Sequence, residues 1–204
     1  MKNNLLHYSG FFIVAVLFIV LAGCASTDPA RFYTLNSALD TNAQTQQADM
    51  KDNMAIGIGP VKLPDYLDRP QIVTRSSANE IMIDEFHRWA GSLEGDISRL
   101  IMENLSILLF TDRAFLFPWK SSVPVDYQVT VEVSRFDGEP GNQAVLHAQW
   151  TLFNYHDRKM LLTKKSMYTE ETGGNDYAAF VQAMGKTLES LSKDIADEIA
   201  KVSR

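Results

Sequence analysis

Cysteine is almost absent from this 204-residue sequence, in which Cys24 is the single example. A chain with one cysteine cannot form an internal disulfide, even in an oxidising compartment. Its stability must therefore come from an ordinary hydrophobic core, and its length is ample for one such core and small for two. The sequence indicates neither an internal repeat nor a second domain.

A long apolar run is also missing, since a membrane-spanning helix needs about 20 apolar residues. The apolar run at 11–21 is shorter, and it follows a start that carries Lys2 and no acidic residue. A charged start, an apolar centre and small residues at the cleavage point are the layout of a secretory signal. We predict that residues 1–23 are a signal peptide that is removed on export.

The residues around the cleavage point resemble the bacterial lipobox, because Leu21-Ala22-Gly23 directly precedes Cys24. The resemblance implies cleavage before Cys24, thioether lipidation of its sulfur and acylation of the new amino terminus. An ordinary signal peptide is the alternative, but the single cysteine stands where a lipobox requires it. Two or more acyl chains give lasting membrane attachment. Ala25, in place of aspartate, implies sorting to the inner leaflet of the outer membrane under the enterobacterial rule.

Basic residues are outnumbered, with 19 Lys and Arg against 25 Asp and Glu. Loss of residues 1–23 removes Lys2 and no acid, which leaves 18 basic side chains, 25 acidic ones and a net charge near −7. An acidic domain is repelled by phosphate backbones, so we expect no nucleic-acid partner. The domain would not adhere to anionic headgroups through its charge either, so the predicted lipid has to hold it at the membrane.

Motifs for catalysis and metal binding are lacking as well. The histidines are His7, His87, His147 and His156. No two of them have the spacing of a helical zinc motif, and no Gly-x-Ser-x-Gly elbow occurs. Neighbouring acids such as Asp84 and Glu85 would point to opposite faces of a strand. We therefore predict no catalytic residue, no metal site, no cofactor and no enzymatic activity.

Periodicity divides the rest of the chain into strands and two helices. Strands are predicted near 32–35, 54–63, 71–75, 79–83, 115–117, 127–133, 144–155 and 160–168. Helical spacing of apolar residues predicts helices over 93–109, capped by Ser92, and over 177–202, capped by Asn175. The polar segment 137–142 is predicted to be a turn. The pattern indicates an α/β fold, a single-domain sandwich with a mixed, largely antiparallel sheet and two main helices.

The second helix carries one apolar stripe from Tyr177 to Val202. Most amphipathic helices bury such a stripe against their own domain. We predict that this stripe packs on the sheet rather than forming a coil with a partner.

The segment between Cys24 and the first strand is short. Residues 24–31 are polar and contain Pro29, and we predict a lipidated tether there. A single periplasmic domain follows over 32–204, with a polar loop at 36–53 that has almost nothing apolar to bury. At about 3.5 Å per residue, the tether spans at most about 25 Å, so the domain is expected to stay close to its membrane.

A turn bracketed by two prolines is the most unusual stretch of the chain. Prolines hold its geometry before a partner arrives, so little ordering entropy is lost on binding, and Tyr and Arg dominate interface energetics. We predict that this stretch binds a partner protein. Its proposed contact residues are Pro64, Asp65, Tyr66, Leu67, Arg69 and Pro70. The alternative is a structural turn in which Asp65 or Asp68 pairs with Arg69 while Tyr66 fills the edge of the core.

Several of these segments together resemble the PqiC/YmbA lipoprotein family. They are the lipobox, Phe32-Tyr33-Thr34-Leu35, Ile58-Gly59-Pro60-Val61, the run from Leu63 to Val73, Trp89-Ala90, and the run from Leu191 to Ala196. The resemblance covers essentially the whole mature chain, and the polar insertion at 36–53 is the one departure from the pattern.

The resemblance implies a non-enzymatic, outer-membrane-anchored component of an MCE-type intermembrane lipid transport system. Such a protein docks an MCE-domain protein that spans the periplasm and supports envelope integrity. The resemblance also implies a fold similar to the N-terminal domain of TolB and self-association into a homo-oligomeric ring. A periplasmic lipid carrier with its own acyl-binding cavity is the other function left open, although core packing explains the supply of Phe, Leu and Ile.

Overall fold

The computed structural model describes residues 29–37, 39 and 54–203. The predicted signal peptide at 1–23, Cys24 with most of the 24–31 tether, and most of the 36–53 loop lie outside these residues. Within the described ranges, no helix is both long and apolar enough to cross a bilayer.

The described residues contain eight strands and two helices. The strands are β1 Arg31–Tyr33, β2 Ile56–Lys62, β3 Gln71–Ser77, β4 Glu80–Trp89, β5 Ala114–Leu116, β6 Tyr127–Glu139, β7 Gln143–Asn154 and β8 Lys159–Glu171, and the helices are α1 Leu93–Leu108 and α2 Tyr177–Val202. These elements confirm the predicted α/β sandwich with two main helices. The element bounds differ from the predicted ones by a few residues except at β4 and β6, which are longer.

The strands form two sheets where the sequence predicted one. One sheet has the order β1-β4-β3, and the other has the order β5-β2-β6-β7-β8. The pairs β3–β4, β6–β7 and β7–β8 are antiparallel, whereas β1–β4, β2–β5 and β2–β6 are parallel. The arrangement is therefore mixed, as predicted.

The helices begin at polar caps. The Ser92 hydroxyl accepts a hydrogen bond from the Gly95 amide at the start of α1, as predicted. At α2 the predicted cap, Asn175, is wrong, because Asp176 takes this position and accepts from the Ala179 amide at 2.8 Å. An ionised cap also interacts favourably with the positive end of the helix dipole.

The core lies between the helices and the five-stranded sheet. The α2 stripe is buried at Val181, Met184, Leu188, Leu191, Ile195 and Ile199. Alternate residues of β7 face it, and they are Ala144, Leu146, Ala148, Trp150 and Leu152. This burial confirms that the stripe packs on the sheet, although Val202 at its end is exposed.

Strand β6 runs further than the sequence predicts. It continues through Glu139, so Asp137 and Gly138 lie in the strand rather than in a turn. Gly138 pairs with Ala144, and a Cβ at this position would lie 2.0 Å from the carbonyl oxygen of Gln143. Glycine here permits a close approach of two backbones, whereas the sequence prediction took it as a sign of a turn.

Helix α2 defines two ends of the domain. Its 26 residues span about 39 Å at 1.5 Å per residue. The ring of Tyr177, at its start, lies 6.3 Å from the ring of Tyr33 in β1. At its other end the carbonyl oxygen of Val202 accepts from the Tyr127 hydroxyl at 3.5 Å. The chain therefore enters the domain beside the start of α2, which we call the tether end, and we call the other end the distal end.

Candidate functional site

The proline-bracketed loop joins β2 to β3 as a compact turn. Its backbone is closed by hydrogen bonds from the Leu67 amide to the Pro64 carbonyl and from the Arg69 amide to the Leu67 carbonyl. Asp65 and Pro70 are exposed, whereas Pro64 and Arg69 are half-buried. Leu67 is only 2% exposed and belongs to the core. The loop therefore presents the predicted contact residues except Leu67, which anchors it from below.

Tyr66 is held by a buried carboxylate that the sequence analysis missed. Its hydroxyl donates to Oδ2 of Asp137 at 3.1 Å, and Asp137 is 0% exposed. Arg75 donates to the same carboxylate through Nε and Nη2, and the Arg135 Nε donates to its Oδ1 at 2.7 Å. Tyr66 also packs on the edge of the core, as the structural alternative predicts.

The protonation states within this network follow from its contacts. Burial alone would raise the pKa of the Asp137 carboxyl, but Arg75 and Arg135 together outweigh burial and hold that pKa below its ordinary value. Burial, and then the Asp137 charge, raise the pKa of Tyr66. At neutral pH, Asp137 is therefore ionised and Tyr66 protonated. The network supports the loop structurally and has no group poised for proton transfer.

Among the described residues, Arg69 does not form the ion pair with Asp65 or Asp68 that the structural alternative predicts. Its Nε is buried and has no hydrogen-bond partner within the described residues. A buried donor without a partner is uncommon in folded proteins. Arg69 as a whole is half-buried, so only the solvent-facing part of its side chain is open to another molecule.

A second exposed surface lies at the distal end, and the sequence analysis did not predict it. Phe117, Trp119 and Tyr155 form an aromatic cluster with ring centroids 5.6 Å and 5.5 Å apart. The Trp119 Nε1 donates to the Tyr155 hydroxyl at 3.3 Å, which fixes both rings. Phe117 is 52% exposed, and the cluster borders a groove of about 340 Å³ that Arg158 also lines. This distal cluster is a rigid apolar surface open to solvent.

One glycine is the sequence signal for the distal cluster. A Cβ on Gly57 would lie 2.4 Å from the nearest ring atom of Trp119, so the indole can sit against β2 only because this residue is glycine. Glycine within a strand indicates such a close approach, or else a bulge. Lys120, Arg158 and Lys159 are exposed near the cluster. They make this surface locally basic on an otherwise acidic domain.

A groove of about 610 Å³ lies open on the five-stranded sheet. Its lining includes Lys62, Glu132, His147, Lys165 and Met167. Burial, and then the charge of Arg135, lower the pKa of His147, so this side chain is neutral at pH 7. A site for acyl chains would be predominantly apolar and more enclosed. The charged lining therefore gives the lipid-carrier function no support.

Metal-binding residues are not grouped in the part of the chain that the structure describes. No three His, Cys, Asp or Glu side chains lie together there in a way that could hold an ion. The buried carboxylate with the most donors around it, Asp137, is already occupied by two guanidinium groups.

Curated relatives cover nearly the full length of the chain. The Intermembrane transport lipoprotein PqiC of Escherichia coli K12 is 23% identical over 191 residues, which is 93% of this chain and 97% of that protein. The protein of the same name from Shigella flexneri matches to the same extent.

Solved structures share the fold. Protein XCC0632 from Xanthomonas campestris has a TM-score of 0.66 at 14% identity, covering 82% of this chain and 93% of that one. The crystal structure of an uncharacterized protein has a TM-score of 0.68 at 19% identity, covering 84% of this chain and 99% of that one.

Residues 33–196 match the model of the family described as ABC-type transport auxiliary lipoprotein component. The match begins in β1 and ends within α2, so it includes both helices, both sheets and the proline-bracketed loop. Together with the PqiC relatives it confirms the predicted PqiC/YmbA resemblance. This chain therefore belongs to the family of ABC-type transport auxiliary lipoprotein components.

Proposed function

We propose that this protein is the outer-membrane-anchored member of an MCE-type intermembrane lipid transport system, where it docks the periplasm-spanning MCE-domain protein. The observation that carries the proposal is the family match over 33–196, which spans nearly the whole described domain. The lipobox ending at Cys24 supplies the anchor, and Ala25 supplies the sorting signal. The charged groove on the sheet supports an adaptor rather than a lipid carrier.

The proposed docking surface is the proline-bracketed loop. Pro64, Asp65, Tyr66, Arg69 and Pro70 are its contact residues, and Leu67 holds it to the core. The Asp137 network preorganises the loop through Tyr66, so a partner would meet a surface that needs little further ordering. Arg69 supports the choice, because its half-buried side chain carries charged donors that could bind a partner carboxylate or carbonyl.

The anchor is tested by two substitutions next to the cleavage point. Cys24→Ser should abolish incorporation of radiolabelled palmitate, because serine cannot form the thioether. Ala25→Asp should keep the label and move the protein to the inner membrane in an enterobacterial host, as measured by density-gradient fractionation. Palmitate on the Cys24→Ser protein would refute the assignment, and wild-type protein in the inner membrane would refute the sorting argument.

The docking surface is tested by capture of the purified periplasmic region of the MCE-domain protein on the full-length lipoprotein. Arg69→Glu should reduce capture at least about tenfold, because loss of a buried charged contact costs about 2–5 kcal/mol. The matched variant is Phe117→Ala with Lys120→Glu in the distal cluster, which should leave capture unchanged. Thermal melts within about 2 °C of wild type would show that both variants remain folded.

If Arg69→Glu left capture unchanged and the distal-cluster variant reduced it, the docking surface would lie at the distal cluster. Its exposed aromatic rings and basic surroundings are typical of interface anchors and would suit an acidic, apolar segment. Normal capture by both variants would remove both surfaces from the interface.

A further inference from the structure

Three large apolar side chains are exposed on one face of two neighbouring strands. Phe32 of β1 is 64% exposed, and in β4 the exposed fractions are 40% for Ile83 and 42% for Phe86. Asp84 and His87 both contact Tyr177, so the residue before each of them, Ile83 and Phe86, projects from the other face of β4. Phe32 lies opposite Arg88, which also follows that face. A cluster of exposed apolar residues marks a surface that meets another molecule or a membrane. We call Phe32, Ile83 and Phe86 the tether-end patch.

The patch lies on rigid structure where the chain enters the domain. The ring of His87 stacks on Tyr177 with centroids 3.8 Å apart and lies 5.8 Å from the ring of Tyr33. Asp84, between Ile83 and Phe86, accepts from the Tyr177 hydroxyl at 3.1 Å. Burial, followed by this hydrogen bond, raises the pKa of Tyr177 to about 12, so the donor keeps its proton throughout the physiological range. These contacts fix β1 and β4 to the start of α2.

The length of the tether limits how the domain can stand on its membrane. Seven residue steps separate Cys24 from Arg31, and an extended chain of that length reaches about 25 Å. The two ends of the domain are about 39 Å apart along α2. With α2 upright and the distal end on the membrane, Arg31 would lie beyond the reach of its own tether. An upright domain must therefore present its tether end to the lipid.

We propose that the tether-end patch rests on the leaflet to which Cys24 is attached, with Phe32, Ile83 and Phe86 in contact with the lipid interface. The proposal rests on the lipidation of Cys24 from the proposed function and is independent of the docking partner. The acyl chains supply the attachment, and the patch sets the orientation of the domain.

Charge around the patch defines the kind of contact. Glu80 and Glu85 are exposed on the same strand, and Glu85 pairs with Arg88 at 3.4 Å. This strand carries no excess of positive charge that would attract anionic headgroups. The contact is therefore apolar, and it should depend little on salt or on the fraction of anionic lipid.

The single cysteine of the chain makes the proposal directly testable. Once Cys24 is a thioether, a cysteine introduced elsewhere is the only free thiol and accepts one environment-sensitive fluorophore. Ile83→Cys and Phe86→Cys probe the patch, and Phe117→Cys in the distal cluster is the matched control. All three positions are at least 40% exposed in the folded domain, so the substitutions leave the core intact. The full-length lipidated proteins are reconstituted in vesicles of phosphatidylethanolamine and phosphatidylglycerol.

The readout is quenching by a spin label carried on a lipid headgroup, compared with quenching by aqueous iodide. Fluorophores at 83 and 86 should lose most of their emission to the lipid quencher and little to iodide. The fluorophore at 117 should show the opposite. The same result is expected in high salt and in vesicles without phosphatidylglycerol.

Three results would overturn the placement while leaving the anchor intact. Iodide quenching at 83 and 86 would show a patch in water, and equal lipid quenching at 117 would show a domain lying flat. Protection from both quenchers at 83 and 86 would show that a second copy of this chain covers the patch. Mass spectrometry of the same samples checks the lipid on Cys24, and its absence would instead refute the anchor and the placement together.

Discussion

Replacing Asp137 by asparagine is expected to lower the free energy of unfolding by about 2–3 kcal/mol. Breaking a fully buried ion pair costs about 3–5 kcal/mol, because the remaining charge is left without compensation. The expected cost of about 2–3 kcal/mol is lower than this range because Arg75 and Arg135 keep 18% and 31% of their side-chain surface in contact with solvent. For a domain of this size the change corresponds to about 5–10 °C in melting temperature.

A matched control lies two residues further along the same strand. Glu139 is exposed, and among the described residues its carboxylate accepts a hydrogen bond only from the nearby Asn142 side chain, so Glu139→Gln should change the stability by less than about 0.5 kcal/mol. Equal melting temperatures for Asp137→Asn and Glu139→Gln would show that the buried carboxylate is not a major source of stability. Amide hydrogen exchange should also become faster in the proline-bracketed loop of the Asp137 variant, because Tyr66 loses the charged acceptor of its hydrogen bond.

The effect of Asp137 should depend on pH with a defined sign. The folded-state pKa of this carboxyl is lowered, so its stabilisation is complete above the ordinary aspartate pKa of about 4. It is lost as the pH falls through the lower pKa of the folded state. The difference in stability between wild type and Asp137→Asn should therefore be constant near neutral pH and shrink below about pH 4. A difference that grows in acid would contradict the assigned ionisation.

Replacing Leu188 by alanine is expected to cost about 2–5 kcal/mol, since the side chain is 0% exposed and the substitution leaves a cavity in the core. Lys193→Ala, on the exposed face of the same helix, is the matched control and should be nearly neutral. Chemical denaturation curves of the two variants, fitted with a common m-value, would give the difference in unfolding free energy directly. A Leu188→Ala protein as stable as the control would mean that the stripe packs loosely in solution.

Local periodicity predicts much of this fold. Both helices and the β7–β8 hairpin are recognised from spacing alone, because their buried faces repeat along consecutive residues. The cap of α2 is misplaced by one residue, since Asn175 and Asp176 are both good capping residues and only backbone geometry separates them. Sequence spacing likewise does not show that the strands divide into two sheets, because pairing partners are far apart along the chain.

The candidate site is harder to predict, because its contacts are long-range. The polar run that begins with Asp137 and Gly138 has the composition of a turn, and the buried carboxylate is stabilised in part by Arg75, 62 residues earlier. The burial of Leu67 is hard to predict for the same reason, because its neighbours in sequence are polar while its neighbours in space are core residues. The lipobox needs no such partners, since its signal consists of consecutive residues.

The entry of the chain into the domain has a mechanical consequence. After β1, Leu35 is fully buried, its carbonyl accepts from Arg99 of α1, and Ser37 donates to Asn104, which donates in turn to Ser192 of α2. A pull on the proposed lipid anchor would reach the folded domain at Arg31 and load the hydrogen bonds between β1 and β4 first. Leu35 and the side-chain hydrogen bonds to both helices would then carry the load. If β1 detached, the α1–α2 pair would therefore resist the force at a second point.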